Sequence, residues 1–170
     1  MMREKLKRRQ GQALLEFALV YIGVIVPLTF GIIFVSEMLW VWHSVVELNR
    51  DVARYAATHC YQGDAQNVIS YMQTHVPRMV DQEQFKQGQA TLQVQYFGRD
   101  PDSGQLTPFS CDSDCSVDCV PDAVTVSITD YQFKHFLDYL KLQPITIPPF
   151  TTSLPIESAG CDPQQGSCLP

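Results

Sequence analysis

The side chains with the most reactive chemistry in this chain are six cysteines: Cys60, Cys111, Cys115, Cys119, Cys161 and Cys168. Their number is even, and in an oxidising compartment that implies a disulfide framework. The turn-forming run Asp162-Pro163-Gln164-Gln165-Gly166-Ser167 predicts a local bridge between Cys161 and Cys168. Cys60 then joins one of Cys111, Cys115 and Cys119. Zinc is a poor fit, because those three lie at C-x3-C-x3-C spacing with no histidine nearby. Asp112, Asp114 and Asp118 interleave with them and raise calcium as an alternative. The loop lacks the turn glycine and terminal glutamate of an EF-hand, so a solvated acidic loop is the simpler reading. His43, His59, His75 and His135 share no ligand spacing. His59 beside Cys60 suggests a thiol–imidazole pair, but adjacent residues on a helix do not face each other. No GxSxG, HExxH, Walker A or GxGxxG pattern occurs, and no catalytic residue or cofactor is expected.

The other pointed residue is Glu16, a carboxylate at the start of an apolar run. Residues 17–36 carry no charge over twenty positions. A helix of that length spans about 30 Å, the thickness of a bilayer's hydrocarbon core. An acid such as Asp inside such a helix costs about 2.5–3.5 kcal/mol on insertion scales, and it usually marks function. Arg3, Lys5, Lys7, Arg8 and Arg9 precede the run against Glu4 alone, which predicts a cytoplasmic N-terminus. Trp40 and Trp42 follow it, at the expected far interface. Pro27 and Gly31 fall mid-span, where membrane helices tolerate both. A cleaved secretory signal is the alternative. The apolar run is long for one, and no small-x-small site follows. Beyond residue 10 there are seven basic and seventeen acidic side chains, a net charge of −10. That argues against a nucleic-acid partner, which needs clustered Lys and Arg.

The elements that position these residues follow from periodicity. Met38, Val41, Val45, Leu48, Val52 and Tyr55 recur three and four apart, so the helix continues beyond the bilayer to about residue 58. Arg50, Asp51 and Arg54 lie off that stripe, on a solvated face. Gly63 and Asp64 are expected to stop one helix and cap a second, which carries Ile69, Met72 and Val76 and ends near Pro77. Residues 91–96 and 124–129 alternate apolar and polar, as half-buried strands do. Between them, residues 98–122 form a long polar loop. Phe133, Phe136, Leu137 and Leu140 suggest a short helix. Residues 145–157 hold one or two extended segments, with prolines that favour an edge strand. No internal repeats are evident. The expected fold is α+β, a long N-terminal helix packed on a small antiparallel sheet. The expected parts are a basic leader over 1–11, a transmembrane and extended helix over 12–58, and an extracytoplasmic disulfide-containing domain over 59–170.

The stretch Arg8-Arg9-Gln10-Gly11-Gln12-Ala13-Leu14-Leu15-Glu16-Phe17 is a basic leader ending in glycine, with an acid five places later. It resembles the class III signal of type IV pilins. GQALLEFALV, together with Ala53-Arg54-Tyr55-Ala56-Ala57, is similar to the TadE-like minor pilins of tight-adherence (Tad/Flp) systems. Phe17 stands where the major Flp pilins have Tyr, and the chain exceeds a Flp subunit, which is little more than the helix. The cysteine loop is not part of that pattern.

The resemblance implies a pseudopilin of the bacterial inner membrane that acts in assembly of a Tad pilus for adhesion or secretion. A membrane-embedded prepilin peptidase would cut between Gly11 and Gln12. Glu16, beside Phe17, would pair with the new α-amine of a neighbouring subunit. Implied partners are membrane lipid, that peptidase, other pilins and the inner-membrane assembly platform. Two alternatives stand beside it. Glu16 snorkels to the cytoplasmic interface, or the chain is an unprocessed single-pass anchor for a disulfide-stapled binding domain. A type II secretion pseudopilin is a closer variant.

Overall fold

The computed structural model describes residues 12–134, 137–138, 141–162 and 164–168. It divides into two compact units, Met1–Trp40 and Val41–Pro170. Helix α1 runs from Gln12 to Thr58, and its most apolar 18-residue stretch has a mean hydropathy of 2.5. Large apolar side chains are exposed along α1 from Leu14 through Ile25 to Leu39. A helix apolar on every face needs lipid or other helices around it. This one is long and apolar enough to cross a membrane, consistent with a single-pass anchor.

α1 is not uniform. Tyr21–Ile25 form a π turn, and the Val26 N–H donates to the Tyr21 carbonyl five residues back. The cause sits just beyond, at Pro27. Its ring has no N–H to give the Gly23 carbonyl and would collide with it, and a wider turn relieves that clash. The Thr29 hydroxyl donates to the Ile25 and Val26 carbonyls at 3.0 and 2.8 Å, which satisfies acceptors next to the disturbed turn.

In the second unit, α1 buries Val41, Val45, Leu48, Val52, Ala53 and Ala56 on one stripe. Arg50, Asp51 and Arg54 are exposed, with Arg50–Glu47 and Arg54–Asp51 pairs at 2.9 and 3.6 Å. Exposed pairs of that kind contribute about 0–1 kcal/mol. After a turn come α2 (Gln66–Thr74) and the short α3 (Gln82–Lys86). The main sheet is antiparallel, in the order β2-β1-β3-β6. Its strands are β1 (Thr91–Arg99), β2 (Leu106–Pro108), β3 (Ala123–Thr129) and β6 (Phe150–Pro155). Between them lie the two-residue strands β4 (Gln132–Phe133) and β5 (Ile145–Thr146), which pair with each other. After β6, β7 (Cys161–Asp162) pairs with β8 (Ser167–Cys168).

The sheet's register puts Leu92, Val94 and Tyr96 opposite Ile128, Val126 and Val124. The three β3 residues are fully buried, while Thr125, Ser127 and Thr129 face the other way and are half-buried. β6 is an edge strand and ends at Pro155, where a missing N–H costs no ladder bond.

Several expectations need correction. α1 ends at Thr58, so Gly63 stops nothing. The α2 N-cap is Ala65, in the left-handed region at φ 52°, and Asp64 instead receives the Gln66 N–H at 3.1 Å. α2 buries Val68 and Met72, while Ile69 and Val76 are half-buried. α3 had no periodic signal, being a single capped turn whose Asp81 accepts the Glu83 N–H. Phe133 lies in β4 rather than a helix, and Phe136 and Leu140 lie outside the described residues. Residues 98–122 are not all loop. Asp100 takes the Asp102 and Ser103 N–H groups at 2.8 Å, and Gly104 at φ 67° closes the turn into β2. These N–H donors hold the Asp100 carboxyl below its ordinary range.

Asn49 is the one polar residue of α1 that is fully buried. Its amide donates to the Thr152 hydroxyl at 2.9 Å and the Val126 carbonyl at 3.3 Å, which ties α1 to β6 and β3. Its own carbonyl oxygen is buried with no partner. Asn49→Asp places a charge there and should destabilise the chain by about 3 kcal/mol or more. Asn49→Leu removes the orphan acceptor but also takes the donor from the half-buried Thr152 hydroxyl, and should cost about 1–2 kcal/mol, less than the buried charge. Urea unfolding of the full chain in detergent, followed by tryptophan fluorescence, distinguishes the two.

Candidate functional site

At the N-terminal end of α1, Gln12 and Glu16 are four residues apart and share a helix face. The Gln12 side-chain amide donates to the Glu16 carboxylate at 3.3 Å. Both residues are exposed, as are Leu15 and Phe17 beside them at 60% and 66%. Phe17 stacks on Tyr21, with ring centroids 6.1 Å apart. Glu16 therefore has no burial and no cationic partner among the described residues. Its amide contact is the kind of local bond that leaves most of a carboxylate's acceptor capacity open. Gly11 and the basic leader lie outside the described residues.

All six cysteines are paired. Cys60 bonds Cys115, Cys111 bonds Cys119, and Cys161 bonds Cys168. The first bridge ties the segment after α1 to the acidic loop, and hydrogen bonds reinforce the junction. The Cys115 N–H donates to the Tyr61 carbonyl at 2.9 Å, and the Gly63 N–H to the Asp114 carboxylate at 2.8 Å. Asp114 is thus engaged in holding the turn. Among the described residues no three His, Cys, Asp or Glu side chains converge to hold a metal.

Around this junction is a four-ring aromatic column. His59 stacks on Tyr55, Tyr55 on Tyr71, and Tyr71 on His75, with centroids 3.7, 4.1 and 4.1 Å apart. It joins the ends of α1 and α2. The column comes from a repeat that the sequence reading missed: Tyr55-Ala56-Ala57-Thr58-His59 and Tyr71-Met72-Gln73-Thr74-His75 are both Y-x-x-T-H. Both copies close a helix in the same way. In each, the threonine hydroxyl and the histidine Nδ1 turn back to the tyrosine carbonyl, at 3.3 and 3.0 Å in the first copy and 2.9 and 3.0 Å in the second. His59 is thereby held away from thiol chemistry, and its neighbour Cys60 is in a disulfide.

One open cleft measures 460 Å³, with Arg78, Asp81, Glu83 and Lys134 of mixed charge on its wall. Its floor is structural. The Gln84 side chain bonds both the N–H and the C=O of Gln132, at 2.9 and 2.8 Å. The Tyr131 hydroxyl accepts the Asp81 N–H, and burial pushes the phenol's pKa upward. Among the described residues no nucleophile and base meet there. No protein family, curated protein or solved structure matches the chain.

The Cys60–Cys115 bridge closes a loop of 55 residues in sequence separation, against 8 and 7 for the other two. On chain entropy the long bridge contributes about 4 kcal/mol and each short one about 2.5 kcal/mol. Replacing both Cys60 and Cys115 by Ser should therefore lower the urea midpoint more than replacing either short pair. Cleavage before aspartate separates Cys111, Cys115 and Cys119, so non-reducing peptide mapping reads the pairing directly. A peptide joining Cys60 to Cys111 or Cys119 contradicts this arrangement.

Proposed function

We propose that the chain is a TadE-like minor pilin, a pseudopilin that acts in assembling a Tad/Flp-type pilus for adhesion or secretion. In this reading the basic leader keeps the N-terminus cytoplasmic, α1 crosses the inner membrane, and the disulfide-bearing domain lies on the periplasmic side. A prepilin peptidase cuts after Gly11, where the absence of a side chain leaves the scissile bond open to approach. The new α-amine on Gln12 is cationic at neutral pH.

The observation that carries the reading is Glu16. It is an exposed carboxylate on a helix whose surroundings must be apolar, and it lies one turn from the new terminus. A neighbour's amine would remove two uncompensated charges from lipid at once. The apolar run of α1 and the stripe from Val41 to Ala56 seated on an antiparallel sheet support the same reading, because a pilin needs a helix that spans and a helix that scaffolds.

Intact-mass measurement of the membrane-extracted protein tests processing. The proposal expects loss of residues 1–11 in wild type and a full-length Gly11→Val precursor. An intact leader in wild type favours the unprocessed anchor instead.

Glu16→Gln tests assembly, because it keeps the shape and removes the charge. The variant should insert and be cleaved normally, yet co-purify with other pilins about tenfold less, as when about 1.4 kcal/mol of pairing is lost. Normal co-purification and normal surface fibres from processed Glu16→Gln would leave snorkelling as the role of this carboxylate.

A further inference from the structure

β1 has one free edge. From Thr91 to Phe97 it pairs with β3, but β2 covers its other side only at Phe97, Gly98 and Arg99. The Tyr96 carbonyl accepts the Phe109 N–H at 2.9 Å on the β2 side, and the Phe97 carbonyl accepts the Asp122 N–H at 2.9 Å on the β3 side. Backbone groups alternate along a strand, so Leu92 and Val94 aim their N–H and C=O groups in the same direction as Tyr96. Beyond the end of β2 nothing meets them among the described residues.

This edge also lacks the usual protection. Folded proteins blunt open edges with charges, proline, bulges or a covering segment. Thr91-Leu92-Gln93-Val94-Gln95-Tyr96 contains no charge and no proline, and it pairs with β3 in unbroken register. It borders a run of clefts. One of 340 Å³ lies between Leu92–Gln95 and the start of α2, with Asp64 and Ile69 on its wall. A second, of 200 Å³, continues past Ile69 and Leu92 to Met72 and Phe85. A third, of 290 Å³, reaches Tyr61, Tyr96 and Phe109. The Tyr96 hydroxyl is buried and has no partner. Burial pushes its pKa up to about 12, so it stays a hydrogen-bond donor.

We propose that this edge accepts an extended segment of a partner protein as an added strand, with apolar residues at alternate positions and Lys or Arg flanking them. The free backbone groups specify the partner's form, because only another strand matches their spacing. The clefts specify its alternation, since Ile69, Leu92 and Met72 would receive every second side chain. The charge specifies its flanks. Asp64 lines the cleft, Asp114 holds the adjacent Gly63 N–H, and Lys86 at the other end is already paired with Glu83 at 3.0 Å. With seven basic against seventeen acidic side chains beyond residue 10, a second copy of this chain would be repelled. The inference does not depend on the pilin reading.

The test uses the full chain in detergent micelles and capped peptides of two sequences, Lys-Val-Thr-Val-Lys and Asp-Val-Thr-Val-Asp. Hydrogen exchange at the Leu92 and Val94 amides is read by NMR. The basic peptide should slow exchange at both about tenfold, as hydrogen bonding protects them, and the acidic peptide should not. Val94→Pro removes an edge N–H that β3 does not use, so it should abolish the response at the remaining Leu92 amide and spare the β1–β3 ladder. If that variant loses its native spectrum, Ile69→Lys, which puts a like charge in the cleft, carries the same expectation. Unchanged exchange with the basic peptide overturns the proposal, as does a response that survives Val94→Pro in its folded form. Equal response to both peptides overturns the charge of the partner. Protection that rises with protein concentration and no peptide identifies a second copy as the occupant and overturns it too.

Discussion

The apolar stripe of α1 is the constraint on which the second unit depends. Val41, Val45, Leu48 and Val52 recur at helical spacing and are buried, while Val124, Val126 and Ile128 recur at strand spacing and are buried with them. A helix stripe and a sheet face are each unstable alone in water, and each provides what the other must bury. At about 1.5–3 kcal/mol for each fully buried aliphatic side chain, this layer is the main favourable term of the unit. Asn49 sits in the middle of it and adds direction rather than strength. Its bonds to Thr152 and Val126 are made in only one axial position of the helix against the sheet, which purely apolar contacts would not enforce. Its unpartnered oxygen is the cost of that specificity.

The same helix meets a different requirement at its other end. From Leu14 to Leu39 its apolar side chains are exposed in every direction, so that part must be solvated by lipid or by other helices. The two stretches of α1 thus have different requirements: the first is apolar and exposed, and the second buries its stripe on the sheet. At Pro27 the backbone adjusts locally: the Val26 N–H bonds the Tyr21 carbonyl, and the Thr29 hydroxyl adds bonds to the Ile25 and Val26 carbonyls. The proposed pairing of Glu16 belongs to the same logic. A carboxylate is costly only where water is excluded, and that cost is what a neighbour's amine can relieve.

Beyond α1 the sheet is small, and covalent and aromatic links take over part of the work. Cys60–Cys115 and the Asp114 carboxylate fasten the acidic loop to the turn after α1. The Tyr55–Tyr71 stack fastens α2 to the same place. Two turns, one from Asp100 to Gly104 and one that Asp162 opens and Gly166 closes, reverse the chain with an aspartate that caps following N–H groups and a glycine at positive φ. These devices order long polar segments that bury little apolar surface. They leave the β1 edge bare.

The sequence alone determined what is periodic or compositional. The membrane-length run, the stripe from Val41 to Val52, the two central strands and the local Cys161–Cys168 pair were all legible, because each signal lies within a few residues of chain. Glu16 was legible as an anomaly, since a charge in an apolar run needs no fold to be noticed. Tertiary structure decided what depends on distant partners. Which of three cysteines meets Cys60 is set by where the acidic loop returns. Asn49 finds a side-chain partner in Thr152, more than a hundred residues later, which only the folded sheet brings opposite it. The Y-x-x-T-H copies were visible as letters, yet they have meaning only when the two helix ends stack face to face. The open edge of β1 had no signal at all. An edge is defined by the strand that is missing beside it, and strand order is a property of the assembled sheet.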